Sequence, residues 1–234
     1  MNIIVTGSSK GIGLEIVKSF ASYENSKVIA IARNELSLLR LKEECSVLFP
    51  NSTIIPMPFD LSVSAFRTEL QPRIQKYFSK IDILINNAGK MINKPFELLT
   101  EYEFDTLMDV NLKSAFKMIK VCLPMMHKGS HIVNIGSMGG VQGSAKFPGL
   151  SLYSASKGAL AILSECLAEE LKEKKISVNC LALGAVQTEM LQSAFPGYVA
   201  PNTPEQMASF ITNFAMTGAQ FFNGKILPVS ISTP

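Results

Sequence analysis

The sequence has no tryptophan, two histidines and four cysteines among its 234 residues. His127 and His131 are the only imidazole ligands, and Cys45, Cys122, Cys166 and Cys180 stand far apart with no C-x-x-C pair, so no metal site is expected. The cysteines read as reduced, mostly buried thiols of a cytoplasmic protein. Excess charge is also missing. Lys and Arg number 22 against 19 Asp and Glu, leaving +3, and no basic block of five residues occurs. The nearest cluster, Lys172, Lys174 and Lys175, is broken by Glu173 and reads as a solvated helix end. Neutralising a phosphate backbone takes more than this, so no nucleic-acid partner is expected. No apolar run approaches the roughly 18 residues of a membrane span. The chain opens on the strand-like Asn2-Ile3-Ile4-Val5-Thr6, which leaves no room for a leader. The expectation is a soluble cytoplasmic protein with no membrane partner.

What is present is apolar: 47% hydrophobic residues against 18% charged supply a sizeable core and exclude a disordered chain. Short β-branched runs alternate with stretches of helical period. Ile3 to Val5, Val28 to Ile31, Thr53 to Ile55, Ile81 to Ile85, His131 to Ile135 and Ile176 to Leu183 read as strands buried on both faces. Ile12, Ile16, Val17 and Phe20 recur at helical spacing, as do Leu160, Leu163, Leu167 and Leu171 in a helix expected over Ser151 to Lys174. The alternation implies an α/β fold with a doubly wound parallel sheet. No linker or internal repeat interrupts it, so residues 1–234 read as one domain. The stretch from Ile176 onward carries only Glu189, Glu205 and Lys225 as charges, yet holds Phe195, Tyr198, Phe210, Phe214, Phe221 and Phe222. Core, a substrate cavity or another subunit should cover it, and a strand is expected at Lys225 to Val229.

The first strand runs into Thr6-Gly7-Ser8-Ser9-Lys10-Gly11-Ile12-Gly13 and then a helix. Glycines allow the tight turn and a close backbone approach to a pyrophosphate, and the helix N-terminus offers free N–H groups. Tyr153 and Lys157 stand four apart on a predicted helix and so share a face. A free tyrosine has a pKa of about 10, and a neighbouring ammonium stabilises its phenolate, which should lower that value. Ser137, ending a strand, sits where open α/β sheets place their ligands.

The spacing Gly-x-x-x-Gly-x-Gly resembles the fingerprint of the short-chain dehydrogenase/reductase family. Further marks follow in order: Asn86-Asn87-Ala88-Gly89, Asn111, Ser137 and Tyr153-x-x-x-Lys157. The resemblance implies a single-domain Rossmann-like sheet of about seven strands, close to 3-oxoacyl carrier-protein reductases and carbonyl reductases. It makes Tyr153 the general acid or base, Lys157 the group that holds the nicotinamide ribose and tunes Tyr153, and Ser137 the residue that orients the carbonyl. Asn111 would steady a water linking Lys157 to solvent. To the cofactor it assigns Gly7, Ser9, Lys10, Gly11, Ile12 and Gly13, then Arg33 and Asn34, Asp60 and Leu61, and Asn87, Ala88 and Gly89. Tyr153, Lys157, Gly184, Val186 and Thr188 complete that set. Asp60 matches an adenine-contacting aspartate, or, without the resemblance, a turn or capping residue.

The second strand ends Ile31-Ala32-Arg33-Asn34 with no acid to take a 2′-hydroxyl. Arg33 can fork onto a 2′-phosphate and Lys10 can add a second charge, so NADP(H) is expected over NAD(H). The substrate pocket should be walled by Met138, Phe147 and Leu150 on one side and by Met190, Leu191, Phe195 and Tyr198 on the other. The latter lie in a substrate loop of about 186–203. Such walls suit an uncharged ketone, aldehyde or 3-oxoacyl substrate, while Lys90, Lys94 and Lys146 could meet an acidic carrier or phosphate. Two departures from the family pattern stand out. The Ser137–Tyr153 interval is longer, the extra residues falling around Ser144-Ala145-Lys146, and Leu183-Gly184 replaces the usual Pro-Gly. Leu227-Pro228-Val229-Ser230 also stands where Val-Asp-Gly-Gly is usual. Alternatives to an NADP(H)-dependent reductase are an NAD-dependent alcohol dehydrogenase and a non-catalytic NADP(H)-binding regulator. A homotetramer or homodimer packed through helices at Glu101 to His127 and Ser151 to Lys174 is implied by resemblance.

Overall fold

The computed structural model describes residues 1–62 and 65–231. Seven strands form one parallel sheet in the order β3-β2-β1-β4-β5-β6-β7. They are β1 (Asn2–Thr6), β2 (Lys27–Ala32), β3 (Thr53–Pro58), β4 (Ile81–Asn86), β5 (Met126–Ser137), β6 (Ser177–Leu183) and β7 (Ile226–Val229). The helices are α1 (Gly11–Ala21), α2 (Glu35–Leu48), α3 (Gln71–Gln75), α4 (Glu101–Met108), α5 (Ser114–Cys122), α6 (Ser151–Glu170), α7 (Glu189–Ala194) and α8 (Pro204–Thr217). Side chains alternate across each strand, so Ile3 and Val5 pack into one core with α1, α2 and α8 while Ile4 enters the other. This is why the strands read as unbroken apolar runs: each face meets its own layer.

The order reverses between β1 and β4, and a crevice opens there at the C-terminal ends of the strands. Sequence signals mark the element starts that shape it. Thr100 and Glu103 form a reciprocal capping box that starts α4, and Thr203 with Gln206 does the same for α8. Glu35 opens α2, as expected of an acid in a first turn.

One helix differs from expectation. The run from Glu101 does not reach His127: it passes through a wide turn at Asp109–Lys113, continues as α5 and stops at Cys122. Pro124 sits in the short turn that follows, lacking the N–H a continued helix needs, and His127 already belongs to β5. Its Nε2 lies 2.9 Å from Asp82 Oδ1. The Ser151 helix ends at Glu170, followed by a short turn over Lys172–Lys174, and Lys175 adopts a left-handed conformation at φ 55°.

The aromatic C-terminal stretch divides between core and surface. Phe214 is buried against the His131 ring, at 5.5 Å between centroids, whereas Phe221 is 77% exposed. Cys45, Cys122 and Cys180 are buried and Cys166 is exposed. Among the described residues no helix is long and apolar enough to cross a membrane. No group of three His, Cys, Asp or Glu side chains that could hold a metal occurs among them.

Candidate active site

The glycine loop is built by close approach. Gly7 has φ +71° and a Cβ there would lie 2.8 Å from Ala88 Cα; Gly11 has φ +56°. At Gly13 a Cβ would fall 2.2 Å from the Gly7 oxygen, so no other residue fits where α1 leaves the loop. The Asn-Asn-Ala-Gly segment after β4 is stitched to this turn. Asn87 Nδ2 donates to the Thr6 and Gly7 carbonyls at 3.0 and 3.3 Å, and Thr6 Oγ1 accepts from the Asn87 and Ala88 amides at 3.0 and 3.1 Å. Lys10 stands at the N-cap of α1, no side chain caps the helix start, and the first turn holds no acid. The first amides of α1 therefore face the crevice uncommitted, the donor set that a phosphate requires.

A cleft of about 870 Å³ extends from this loop. Gly7, Ser9, Lys10, Gly11, Ile12 and Gly13 line it, with Arg33, Asp60 and Leu61 at one end and Asn87, Ala88 and Gly89 along the floor. Ser137, Tyr153, Lys157, Gly184, Val186 and Thr188 line it as well. So do all seven substrate-wall residues: Met138, Phe147, Leu150, Met190, Leu191, Phe195 and Tyr198. Asn34 does not. Its Oδ1 accepts the Ser37 amide at 3.0 Å, because the residue before a helix is best used as its cap. Asp60 lines the cleft and also closes a local turn, its Oδ1 accepting from the Ser62 amide and hydroxyl. Those hydrogen bonds, together with the Arg33 charge, outweigh the effect of burial and hold its carboxyl below the usual range.

At the other end β5 delivers Ser137 and α6 delivers Tyr153 and Lys157. Burial pushes the Tyr153 phenol up, and a hydrogen bond with Ser137 opposes it. In the chain by itself, desolvation of the phenolate outweighs that hydrogen bond. Lys157 is buried too and its Nζ donates to the Ile135 carbonyl at 2.7 Å. Burial pulls its pKa down to about 8, with the nearby Cys180 opposing. Asn111 lies within the wide turn after α4, behind the cleft wall. Its Oδ1 accepts the Lys90 amide at 2.7 Å, and its Nδ2 donates to the Lys90 carbonyl and Ser156 Oγ, both at 2.9 Å. A Cβ on Gly89 would lie 3.4 Å from Lys157 Nζ and 3.5 Å from Asn111 Oδ1, so these two groups flank the same glycine.

The lengthened loop after Ser137 folds on itself. Ser144 Oγ donates to the Met138 and Val141 carbonyls, and Lys146 Nζ donates to the Val141 carbonyl at 2.6 Å. Phe147 then meets Phe195 edge-on at 6.3 Å, joining the two substrate walls. Lys94 is engaged as well, with Glu103 at 3.0 Å. Two of the three lysines considered for an acidic carrier thus already serve internal partners. Leu183 closes β6 opposite Val229, and a Cβ on Gly184 would lie 2.4 Å from Ser230 Oγ. The unusual tail therefore packs against the segment that follows β6.

Sequence reasoning missed Met91, Tyr102, Thr106, Asp109, Val110 and Ser230, all of which line the cleft. Tyr102, Thr106 and Asp109 recur at helical spacing, a stripe that periodicity could have found. Met91 and Ser230 had no such signal.

The family model for short chain dehydrogenase matches residues 1–198. The chain is 31% identical over 213 residues to a fatty acyl-CoA reductase of Acinetobacter baylyi, covering 89% of this chain and 70% of that protein. It is 32% identical over 196 residues to carbonyl reductase (NADPH) 2 of Sus scrofa, covering 82% and 75%. Among solved structures, the Pseudomonas aeruginosa RhlG/NADP active-site complex superposes with a TM-score of 0.85 at 27% identity, covering 98% of this chain and 94% of that one. L-sorbose reductase from Gluconobacter frateurii, complexed with NADPH and L-sorbose, shares the fold at a TM-score of 0.86 and 23% identity, covering 99% and 95%. The chain belongs to the short-chain dehydrogenase family and is an oxidoreductase.

Proposed function

We propose that this protein is an NADP(H)-dependent oxidoreductase that interconverts a carbonyl and a secondary alcohol, with an uncharged and largely apolar substrate. One observation carries the reading: the Ser137, Tyr153 and Lys157 side chains share a single cleft with an open, glycine-built helix N-terminus and with Arg33. The glycine loop and α1 amides would hold the pyrophosphate, Arg33 a 2′-phosphate, and Lys157 the nicotinamide ribose. When bound, the nicotinamide supplies or accepts the hydride.

The chain's own groups handle the proton. In reduction the Tyr153 hydroxyl donates its proton to the substrate oxygen while Ser137 hydrogen-bonds that oxygen and fixes its position. The Lys157 ammonium then stabilises the phenolate left behind. In the other direction Tyr153 acts as base. Asn111 holds the Lys90 backbone and Ser156 on α6, and so the face of α6 that carries Tyr153 and Lys157.

The aromatic walls favour ketones, aldehydes and acyl-linked carbonyls. Relatives named for fatty acyl-CoA, ketoacyl and carbonyl reduction support the same range. With Lys94 and Lys146 engaged internally, a free carbonyl is favoured over a carrier-bound one. Residues 1–234 would work as one cytoplasmic domain with a substrate loop at about 186–203, assembled as a homodimer or homotetramer. Exposed Tyr102, Phe104, Phe116 and Ile162 on α4, α5 and α6 support that assembly.

The deciding experiment follows NADPH oxidation over ketones, aldehydes, diketones and 3-oxoacyl thioesters, with Tyr153→Phe alongside. Turnover that falls by about 100-fold or more in the variant is expected. Undiminished turnover in Tyr153→Phe would overturn the mechanism. Failure to bind either nicotinamide dinucleotide would overturn the functional reading.

A further inference from the structure

Lys10 and Glu189 join the two walls of the cleft. Lys10 is the last residue of the glycine loop before α1, and Glu189 is the first residue of α7. Far apart in sequence, they form an ion pair with Nζ 2.5 Å from Oε2. The neighbouring residues meet as well: a Cβ on Gly11 would lie 3.6 Å from the Thr188 side-chain methyl, Cγ2. The pair therefore stands beside the uncapped N-terminus of α1, where the donor set invites an anion. Both residues line the cleft. The Glu189 carboxylate is thus an anion of the chain's own, held against a lysine at an anion site.

We propose that Glu189 is an internal counter-ion which a phosphate of the dinucleotide displaces from Lys10, so that Glu189 sets cofactor affinity. The inference rests on the dinucleotide reading above and goes beyond it in assigning Glu189 a role opposed to binding. A carboxylate and a phosphate cannot both sit at contact with one ammonium without repelling each other, and the ammonium is on the cleft lining that a dinucleotide would enter. The pair is largely exposed, at 66% and 70% for the two side chains, so solvent screens it and a stronger anion exchanges it readily. Displacement also removes one tether at the N-terminal end of α7, which keeps the hydrogen bond from the Gln187 amide to the Asn202 carbonyl at 2.9 Å. Its other end stays tied, because Asn93 Nδ2 donates to the Ala194 carbonyl at 2.7 Å. Cofactor arrival would therefore loosen one end of the segment that carries Met190 and Leu191 into the substrate wall.

The test is calorimetric titration of NADPH and NADH into wild type, Glu189→Gln, Lys10→Met and the double variant, at low and high salt. Glu189→Gln is expected to tighten NADPH by about two- to five-fold at low salt, the range of an exposed ion pair. The gain should shrink at high salt and vanish in the Lys10→Met background. A gain confined to NADPH places Lys10 on the 2′-phosphate, and an equal gain for NADH places it on the pyrophosphate; either supports displacement. Unchanged or weakened NADPH binding in Glu189→Gln overturns it. Absence of binding by wild type would instead remove the dinucleotide reading on which it rests.

Discussion

The buried Nζ of Lys157 donates to the carbonyl of Ile135 at 2.7 Å, on the same strand that ends in Ser137. Strand β5 thus fixes both the serine and the lysine, while α6 sets the tyrosine between them in the chain. The arrangement holds an amine in a place that burial makes costly for an ammonium.

That cost predicts a trade between stability and activity. The unfolded lysine keeps its proton up to about 10.5, whereas the folded one releases it near 8. Between those values stability rises with pH, and below 8 the folded state carries the full penalty, about 3 kcal/mol. Lys157→Met should therefore raise the melting temperature at pH 7 by several degrees, after about 1 kcal/mol is lost with the Ile135 hydrogen bond. The same variant should lose carbonyl turnover. Calorimetry beside an activity assay checks both, and a lower melting temperature would contradict the penalty.

His131 predicts acid sensitivity at the opposite end of the sheet. It is buried between β5, β6 and α8, with Nδ1 2.9 Å from the Ala215 carbonyl and Nε2 3.0 Å from Asn179 Nδ2. Burial pulls its pKa from 6.5 to about 4, against the Ala215 hydrogen bond. Between these values the unfolded chain binds a proton that the folded chain refuses, so stability falls as pH drops from 6.5 towards 4, by about 3 kcal/mol in all. Urea unfolding at pH 7 and pH 4.5 should show a loss in wild type that is smaller by about 2 kcal/mol in His131→Gln. Equal losses in the two proteins would contradict this.

Gly13→Ala should damage the cradle. A methyl group would sit 2.2 Å from the Gly7 oxygen and 2.4 Å from Asn87 Nδ2, so the turn must open or Asn87 must leave. A cost above about 2 kcal/mol is expected, with NADPH binding lost at concentrations that saturate wild type. Ser9→Ala, on the same loop without such a clash, provides the comparison for folding. Retention of normal binding in Gly13→Ala would show that the loop tolerates a side chain there.

Arg33→Ala should separate the two nicotinamide cofactors. Arg33 lines the cleft at the end of β2, beside Asp60. Loss of a charge-assisted contact to a 2′-phosphate should weaken NADPH by about 10- to 100-fold and leave NADH nearly unchanged. Equal effects on both would remove Arg33 from phosphate recognition.

Local pattern was enough to reveal the strands, and together with the family resemblance it named most of the candidate site. Strands buried on both faces must be unbroken apolar runs, and a glycine loop between strand and helix has few uses, so Val28 to Ile31 and Thr6 to Gly13 were legible. That Tyr153 and Lys157 share a face, one turn apart on α6, follows from helix geometry, whereas their role is what the family resemblance implies. The end of α5 was less legible because apolar residues continue beyond it, and the break at Pro124 depends on how the chain must turn to enter β5. Asn34 was ambiguous because the position next to Arg33 serves equally as cofactor contact and helix cap, and its side chain turns to cap α2.

What tertiary structure alone decided are relationships between distant segments. That Lys10 meets Glu189, that Phe147 meets Phe195, and that Ser230 abuts Gly184 depend on loops brought together by the sheet order, which no local period encodes. The protonation tendencies belong there too. A tyrosine next to a lysine reads as lowered in a sequence, yet burial by side chains from β5, α6 and the loops around them sets its direction. Sequence specifies which groups a helix or strand presents, because periodicity is local; packing specifies how much water each keeps, because desolvation depends on every element that closes around it.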